Sequence, residues 1–542
     1  MKFKLSAAVA AALALSATQA FAFAPNDPAN PIQLEVWMSG ATAQDKGIAS
    51  YYASICQPGT LDTYRDNANS AAPGAQHSAY FCKVDSTKVA GMAADLNVVF
   101  HKRSAGGSAM GVQPLLTGGI AIKHMNITNN NCTITAPDTF YRCTVSNAGD
   151  TQLRIPDAGV SDVNPELFTG VNTPAPITGE LPAPAPVNPA DVAANLDVTA
   201  SGALIYGTPV TNDLFLALAN AQQQVGRLGA NCPSLNAAIL TAEQLATNKD
   251  YYLNSATLNP ECVPSLSKEQ VASIVSGKLK KWTTFRVVDT NATPNVLKGD
   301  LTAFAVNGAP TTTNVGLCRR VNGSGTQAVT NLFFLNNPCL ADATAPVSAG
   351  NPVLGPTVVL NSGSGNVETC LDDFNNNTNL GGQNAPGTGK GKVWSVGVQS
   401  LEFNANRAKA YRFVRIDGQI PTLVDTANGH YGNWAEQTIQ WRKNTIATNP
   451  GPSGDTLNIL LAVAANAGSP TTVATANAGF VHNFGASGGF AVSTGPFNPK
   501  VIFDFSQPVI GYSHVAGTSL NNCRAPSYNG NKVGITGGGM EM

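Results

Sequence analysis

Charge is scarce in this chain of 542 residues: Asp, Glu, Lys and Arg make up 12% of it, about half the share usual in a soluble domain. The formal net charge is −1, which excludes the basic surface that holds nucleic acid or anionic lipid by counterion release. No two cysteines stand at Cys-x-x-Cys spacing. His77, His101, His124, His430, His482 and His514 are scattered, with no pair one helical turn apart. That leaves no zinc-type ligand set in the sequence. A Walker pattern is missing too, because Gly389-Lys390-Gly391 lacks the following hydroxyl, and there is no dinucleotide fingerprint. No cofactor is expected. After the first residues, no apolar run reaches the roughly 20 needed to span a bilayer, and the best, 457–467, reads as a buried helix.

What is present has an exported character. Residues 1–22 have a basic start at Lys2 and Lys4, an apolar run over 5–17, and small residues around Ala20-Phe21-Ala22. This predicts a cleavable secretory signal, with no lipidation cysteine after it and a periplasmic or secreted mature chain. The 10 cysteines are an even count, which in an exported chain points to disulfides rather than metal. Neighbours in sequence are Cys56 with Cys82, Cys132 with Cys143, and Cys232 with Cys262. The partners of Cys318, Cys339, Cys370 and Cys523 cannot be read.

The mature length exceeds one compact core, so two lobes are expected. Strand signals at 33–38 and 96–101 each run into a Gly/Ser turn with a helix expected beyond, to Tyr52 and over 108–116 respectively. Strand, turn and helix in that order indicate an α/β fold. The stretch 126–150 reads as a surface hairpin stapled by its two cysteines, and 173–189, rich in Pro and Ala, as an extended loop. Further on come a strand at 203–206, a helix over 213–228, and a capping box at Ser267-Lys268-Glu269-Gln270. Helices are also expected over 325–335 and 366–374. Strands are expected over 393–424, and a Gly-rich β-like region over 470–542, with its clearest strand at 501–505.

The most informative stretch is Arg319-Arg320-Val321-Asn322-Gly323-Ser324-Gly325-Thr326. Here a cation, two hydroxyls and two glycines lead into a helix start, where unpaired N–H groups and the helix dipole favour an anion. Arg adds a planar fork that suits two oxygens of one oxyanion. The plainer reading is an ordinary helix cap with two solvated arginines. Ser39-Gly40-Ala41-Thr42 and Arg103-Ser104-Ala105-Gly106-Gly107 also precede helix signals. Three such turns suit one anion held by converging helix ends.

In this order, the segments resemble the phosphate-binding proteins of ABC importers, in the type II periplasmic binding-protein superfamily. The Ser39 to Thr42 turn stands where that family has Gly-Ala-Gly-Ala-Thr-Phe-Pro, and Ser104 with its glycines stands at Gly-Ser-Gly-Gly. Gly159-Val160-Ser161-Asp162 stands at Gly-Ala-Ser-Asp. Leu266-Ser267, Gly277-Lys278-Leu279 and Trp282 follow the family's Leu-Ser…Gly-Lys-Ile…Trp. Arg320 to Thr326 follows Arg-x-Asp-Gly-Ser-Gly-Thr, with Asn322 at the Asp. Gly365-Asn366, Ser395-Val396-Gly397 and Asp417-Gly418 continue the order, and the likeness spans about residues 33–440.

The resemblance implies a two-lobed type II periplasmic-binding-protein fold with a hinge. Lobe I would be 23–204 with 396–542, carrying insertions near 126–150 and 173–189 and an extension near 470–542. Lobe II would be 205–395. It implies a ligand set of Thr42, Ala43 (through its backbone), Ser104, Asp162, Arg320, Ser324, Gly325 and Thr326. The ligand would be inorganic phosphate or a related oxyanion, delivered by a monomer to an ABC permease. Asp162 would accept the proton of hydrogen phosphate, which sulfate lacks; its plainer role is a helix cap. His101-Lys102-Arg103 departs from the family's neutral residues. A solvated basic pair is expected there, and an inward Arg103 would call for a more highly charged ligand.

Three rivals remain. Gly485-Ala486-Ser487-Gly488-Gly489, with Asp504 and His514, follows the Ser, Asp, His order of α/β-hydrolases, but the span from 487 to 514 is too short for that fold. A phosphatase on the same scaffold lacks a nucleophile or metal cluster. A secreted or surface protein that kept the lobes for adhesion or scaffolding would account for the insertions and disulfides.

Overall fold

The computed structural model describes residues 25 and 27–528, apart from 68–75, 117–118, 129–130, 135–138, 383–390, 445–448, 493–502 and 517–518. The expected signal segment lies outside the described residues. The sheet-building strands are β1 (Leu34–Gly40), β2 (Asp62–Asp66), β3 (His77–Val84), β4 (Leu96–Arg103), β5 (Tyr141–Cys143), β6 (Ala158–Ser161), β7 (Leu196–Thr211) and β8 (Ser265–Leu266). They continue with β9 (Gly316–Arg320), β10 (Thr357–Asn361), β11 (Ser395–Gly397), β12 (Gln399–Ser400), β13 (Tyr411–Ile416), β14 (Trp434–Arg442), β15 (Gly489–Val492) and β16 (Val509–Ile510). The helices are α1 (Asp45–Ala53), α2 (Asn212–Gln224), α3 (Lys268–Val275), α4 (Gly325–Leu335), α5 (Ser364–Asn376), α6 (Gly454–Ala467) and α7 (Pro470–Asn477).

The fold is α/β, as expected, and is built on two sheets that share one strand. The first runs β5-β2-β3-β4-β1-β6-β14-β7-β15-β16, with β1 parallel to both β4 and β6. The second runs β10-β9-β11-β7-β13-β8, and β12 pairs with β7 between the two. The first half of β7 therefore belongs to one sheet and its second half to the other. The crossing expected near 396 is not a single event. Both β11 and β13 lie in the second sheet, and the chain rejoins the first only at β14.

Two main cores result, the larger one shared between the sheets. Val36, Met38, Val98, Phe100 and Val160 pack under Ile48 and Tyr52 of α1 and Ile459 and Val463 of α6. Apolar residues of α2, α5 and β9 fill the second core. A smaller cluster bridges the two, with Ala43, Val163 and Phe168 against Ala328 and Val329 of α4. Local signals account for the helix ends. Ser267 and Gln270 form the capping box that opens α3, and α4 begins at N-cap Ser324 and ends on a left-handed Asn336. The 457–467 run lies in α6; among the described residues no single helix is long and apolar enough to cross a membrane.

Several expectations need correction. Residues 108–116 form two 3-10 turns, Ser108–Gly111 and Gln113–Leu115, because Pro114 removes an amide donor and crowds the preceding turn. The region after 470 opens with helix α7, which Pro470 starts at its first position. Residues 501–502 lie outside the described residues, and 503–505 form no strand; Asp504 instead caps a turn by accepting from Ser506 N–H at 2.8 Å. The strands expected to 424 give way to a short helix, Leu423–Ala427.

The three neighbouring cysteine pairs are bonded, and the remaining four form Cys318–Cys370 and Cys339–Cys523. The last bridge ends a C-terminal strap. From β16 the strap passes Glu436 of β14, which accepts from Ser513 Oγ at 2.8 Å and His514 N–H at 2.7 Å. It then exchanges two hydrogen bonds between Asn522 and Asn164, at 2.8 and 3.0 Å, and reaches Cys339 just beyond α4.

Candidate functional site

Parallel strands put their C-terminal ends on one side, and in open α/β sheets that side carries the binding crevice. Gly40 is paired with Val160, and Ser39 with Arg103, so the turns after β1, β4 and β6 emerge together. They carry Thr42, Ser104 and Asp162. The end of β9 carries Arg320, and α4 follows it.

These groups meet. Arg320 Nη2 donates to Thr42 Oγ1 at 3.2 Å, joining the second sheet to the first. Nη2 also donates to Ser362 O at 2.8 Å, while Nε donates to Asn361 O at 3.3 Å and Nη1 to Ser364 Oγ at 3.0 Å. Asp162 Oδ2 accepts from Thr326 Oγ1 at 3.1 Å, and Oδ1 accepts from Gln44 Nε2 at 3.2 Å. Gly325 lies against the same carboxylate: a Cβ there would stand 2.3 Å from Ser108 Oγ and 2.6 Å from Asp162 Cβ. Gly107, at φ +74°, brings its turn to 2.8 Å between a would-be Cβ and Ser324 Cα. A side chain at either position would drive the two halves apart.

Burial sets the electrostatics. It pushes the Asp162 carboxyl up from its usual range, against hydrogen bonds from Gln44 and Thr326 and the nearby Arg320 charge. Burial also lowers the Arg320 guanidinium to about 10, while Asp162 and Asp45 favour its charged form. Among the described residues, no carboxylate forms an ion pair with Arg320, whose hydrogen-bond partners are neutral oxygens.

The expected residues fall into two groups. Thr42 meets Arg320, and Asp162 meets Gly325 and Thr326, each across the two sheets, with the Arg320 charge near Asp162. Ala43 is buried beside them in the bridging cluster. Ser324 caps α4, its Oγ accepting from Gln327 N–H at 3.4 Å. Ser104 is turned to Asp45, donating to its two oxygens at 2.7 and 2.8 Å.

The arginines are not solvated. Arg319 and Arg320 are each 1% exposed, and Arg319 Nη2 donates to Asn322 Oδ1 at 2.9 Å. Nor are the basic residues after His101. Lys102 Nζ donates to Gly40 O, Ala41 O, Asp45 Oδ1 and Ser104 Oγ, at 3.1, 3.0, 2.9 and 3.0 Å. Arg103 points to the opposite face, where Glu180 of the 173–189 loop pairs with it. That loop also rests Ile177 on Gly106 and Pro174 on Gly323, so it roofs two of the site turns.

Sequence reasoning missed Gln44, Asp45 and Lys102. The alternation of β4 was the available signal: Val98 and Phe100 face α1, so Lys102 does too. The hydrolase triad is not assembled. Ser487 Oγ donates to Pro421 O at 2.8 Å, and His514 Nδ1 faces Glu436 Oε2 at 2.6 Å.

No family model matches the chain, and no curated protein matches it either. Among solved structures, one similar chain is from Clostridium perfringens, a protein assigned as a phosphate ABC transporter substrate-binding protein, with bound phosphate. It is 11% identical with a TM-score of 0.37, over 82% of this chain and 97% of that one. An ABC-type phosphate transport receptor from Vibrio cholerae is 10% identical with a TM-score of 0.26, over 57% and 74% of the two chains. PstS from Borrelia burgdorferi is 9% identical with a TM-score of 0.21, over 53% and 68%.

Proposed function

We propose that the chain is an exported, non-catalytic solute-binding protein that holds one phosphate, or a similar tetrahedral oxyanion, between two lobes centred on the two sheets. The proposed lobes are 23–204 with 396–542, and 205–395, with 411–416 assigned to the second because it pairs in the second sheet. The supporting observation is Arg320: a buried guanidinium with no ion-pair partner among the described residues, flanked by Thr42, Thr326 and the start of α4. Such a charge is costly to bury alone and is matched by a bound anion. Asp162 discriminates in its ionised form, which the hydrogen bonds from Gln44 and Thr326 and the nearby Arg320 charge favour against burial: the carboxylate accepts a hydrogen bond from hydrogen phosphate and repels sulfate, which has no proton to donate. The closed arrangement completes both halves of the site, so ligand shifts the population towards it. An ABC permease is the proposed recipient, and a monomer the proposed carrier.

Equilibrium dialysis with labelled phosphate, competed by sulfate, tests this reading. Saturable binding without turnover is expected. Arg320→Ala should weaken it by about a hundredfold or more while leaving the fold intact, on the scale of a lost buried charge-assisted contact. Unchanged affinity in that variant would remove the site.

A further inference from the structure

Two strand segments cross between the sheets, β7 at Tyr206 and β12, and together they floor the region beneath Asp162. Tyr206 stands opposite Ser400 in an antiparallel pair. The pairing continues, because Leu401 N–H donates to Ile205 O at 3.1 Å. Ser400 therefore projects to the same side as Tyr206, and Glu402 follows in the turn just after β12. All three are buried, at 1%, 0% and 3% exposure for Tyr206, Ser400 and Glu402. The Tyr206 hydroxyl lies beside Asp162 and Gln437, and the Glu402 carboxyl is within the field of Lys46, Asp45 and Asp162.

Ser400 Oγ and Glu402 Oε2 make no hydrogen bond to any described residue. Buried hydroxyl and carboxyl oxygens are rarely left so, because each forfeits its hydration without return. The phosphate reading uses Arg320, Thr42 and Thr326, which leaves the floor unused by phosphate alone. Its groups are of one kind. Burial pushes the Glu402 carboxyl well above its ordinary range, against the Lys46 charge, and so favours its protonated form, which both donates and accepts. Hydroxyls have that same character. An ammonium group would instead call for an ionised carboxylate, and an alkyl chain for an apolar wall.

We propose that the floor is a second recognition patch, and that the preferred ligand is a phosphate monoester whose organic arm carries hydroxyl groups. Its phosphate sits with Arg320, Thr42 and Thr326, and its arm with Tyr206, Ser400 and Glu402. The proposal rests on the phosphate reading and narrows it to a substrate class.

Isothermal titration of the mature chain with inorganic phosphate, glycerol phosphate, glucose phosphate, propyl phosphate and phosphoethanolamine tests it. At least one hydroxylated ester should bind about tenfold or more tighter than phosphate or propyl phosphate, the margin expected when a site's polar groups find their partners. Glu402→Gln and Ser400→Ala should each erase most of that margin and leave phosphate affinity unchanged. Phosphate binding as tightly as every hydroxylated ester would overturn the patch, and so would a preference for phosphoethanolamine. Equal loss of phosphate and ester affinity in Glu402→Gln would overturn it as well. Phosphate bound and esters rejected sinks this inference alone; no phosphate compound bound sinks the phosphate reading beneath it.

Discussion

Replacing Cys339 and Cys523 together by serine tests how firmly the C-terminal strap clasps the site. The bridge closes a sequence separation of 184 residues. Chain entropy for a loop of that length gives about 5 kcal/mol of stabilisation, and native bridges lost from small domains cost about 2–5 kcal/mol. The strap's noncovalent ties survive the substitution, including the paired bonds of Asn522 with Asn164 at 2.8 and 3.0 Å. The expected loss is therefore about 2–5 kcal/mol, read as a lower guanidinium midpoint by tryptophan fluorescence.

Kinetics should change more than affinity. Asn164 lies two residues past Asp162, and Cys339 lies just past the helix that begins beside Thr326. Through Asn522 and the bridge, the strap thus ties the segment just after Asp162 to the far end of the helix that carries Thr326, and opening the cleft must work against it. Labelled phosphate chased in a stopped-flow instrument should leave the double variant about tenfold faster, since such changes fall mainly on dissociation. An unaltered midpoint together with an unaltered release rate would refute the clasp.

Replacing Asp162 by Asn, which gives an uncharged side chain with an N–H donor, should bring sulfate competition up towards that of phosphate. Identical selectivity in dialysis would strip Asp162 of its role. In Gly325→Ala the new methyl meets Ser108 Oγ at 2.3 Å and Asp162 Cβ at 2.6 Å. We expect about 1–3 kcal/mol of destabilisation and a clear loss of phosphate affinity, and native-like affinity would show the close approach to be dispensable. His482 supplies a pH test. Burial, opposed by its bond to Leu401 O at 2.7 Å, holds its imidazole down to about 4. Unfolded, it titrates near 6.5, so between these values the unfolded chain binds more protons and the contribution of His482 falls as pH drops. The stability margin of the natural chain over His482→Gln should shrink by about 3 kcal/mol between pH 6.5 and 4, and a margin constant with pH would contradict this.

The turns were the legible part of the sequence. Ser39 to Thr42, Ser104 to Gly107, Gly159 to Asp162 and Arg320 to Thr326 are short, local and rich in residues with strong backbone preferences, and strand ends do bring them together. Side-chain direction was harder to read. Lys102 and Arg103 are adjacent and chemically alike, yet strand alternation sends one to Asp45 and the other to Glu180. The loop carrying Glu180 has no pattern of its own to announce a partner. Helix α7 was missed because Thr471, Thr472 and Thr475 lend it a β-like composition, and only packing of Val473 against the first core decides otherwise. The return of β13 to the second sheet depends on pairing with β7 and β8, distant in sequence and invisible to local signals.

Strand β7 has a consequence for how the molecule comes apart. Two units joined by a slack tether can melt separately, giving two heat-absorption peaks. Here the tether is itself a rung of both ladders: losing either sheet strips partners from the backbone on which the other is assembled. Heating should therefore produce a single calorimetric transition, and the amides around Ile205 to Val210 should be among the last to exchange with deuterated solvent.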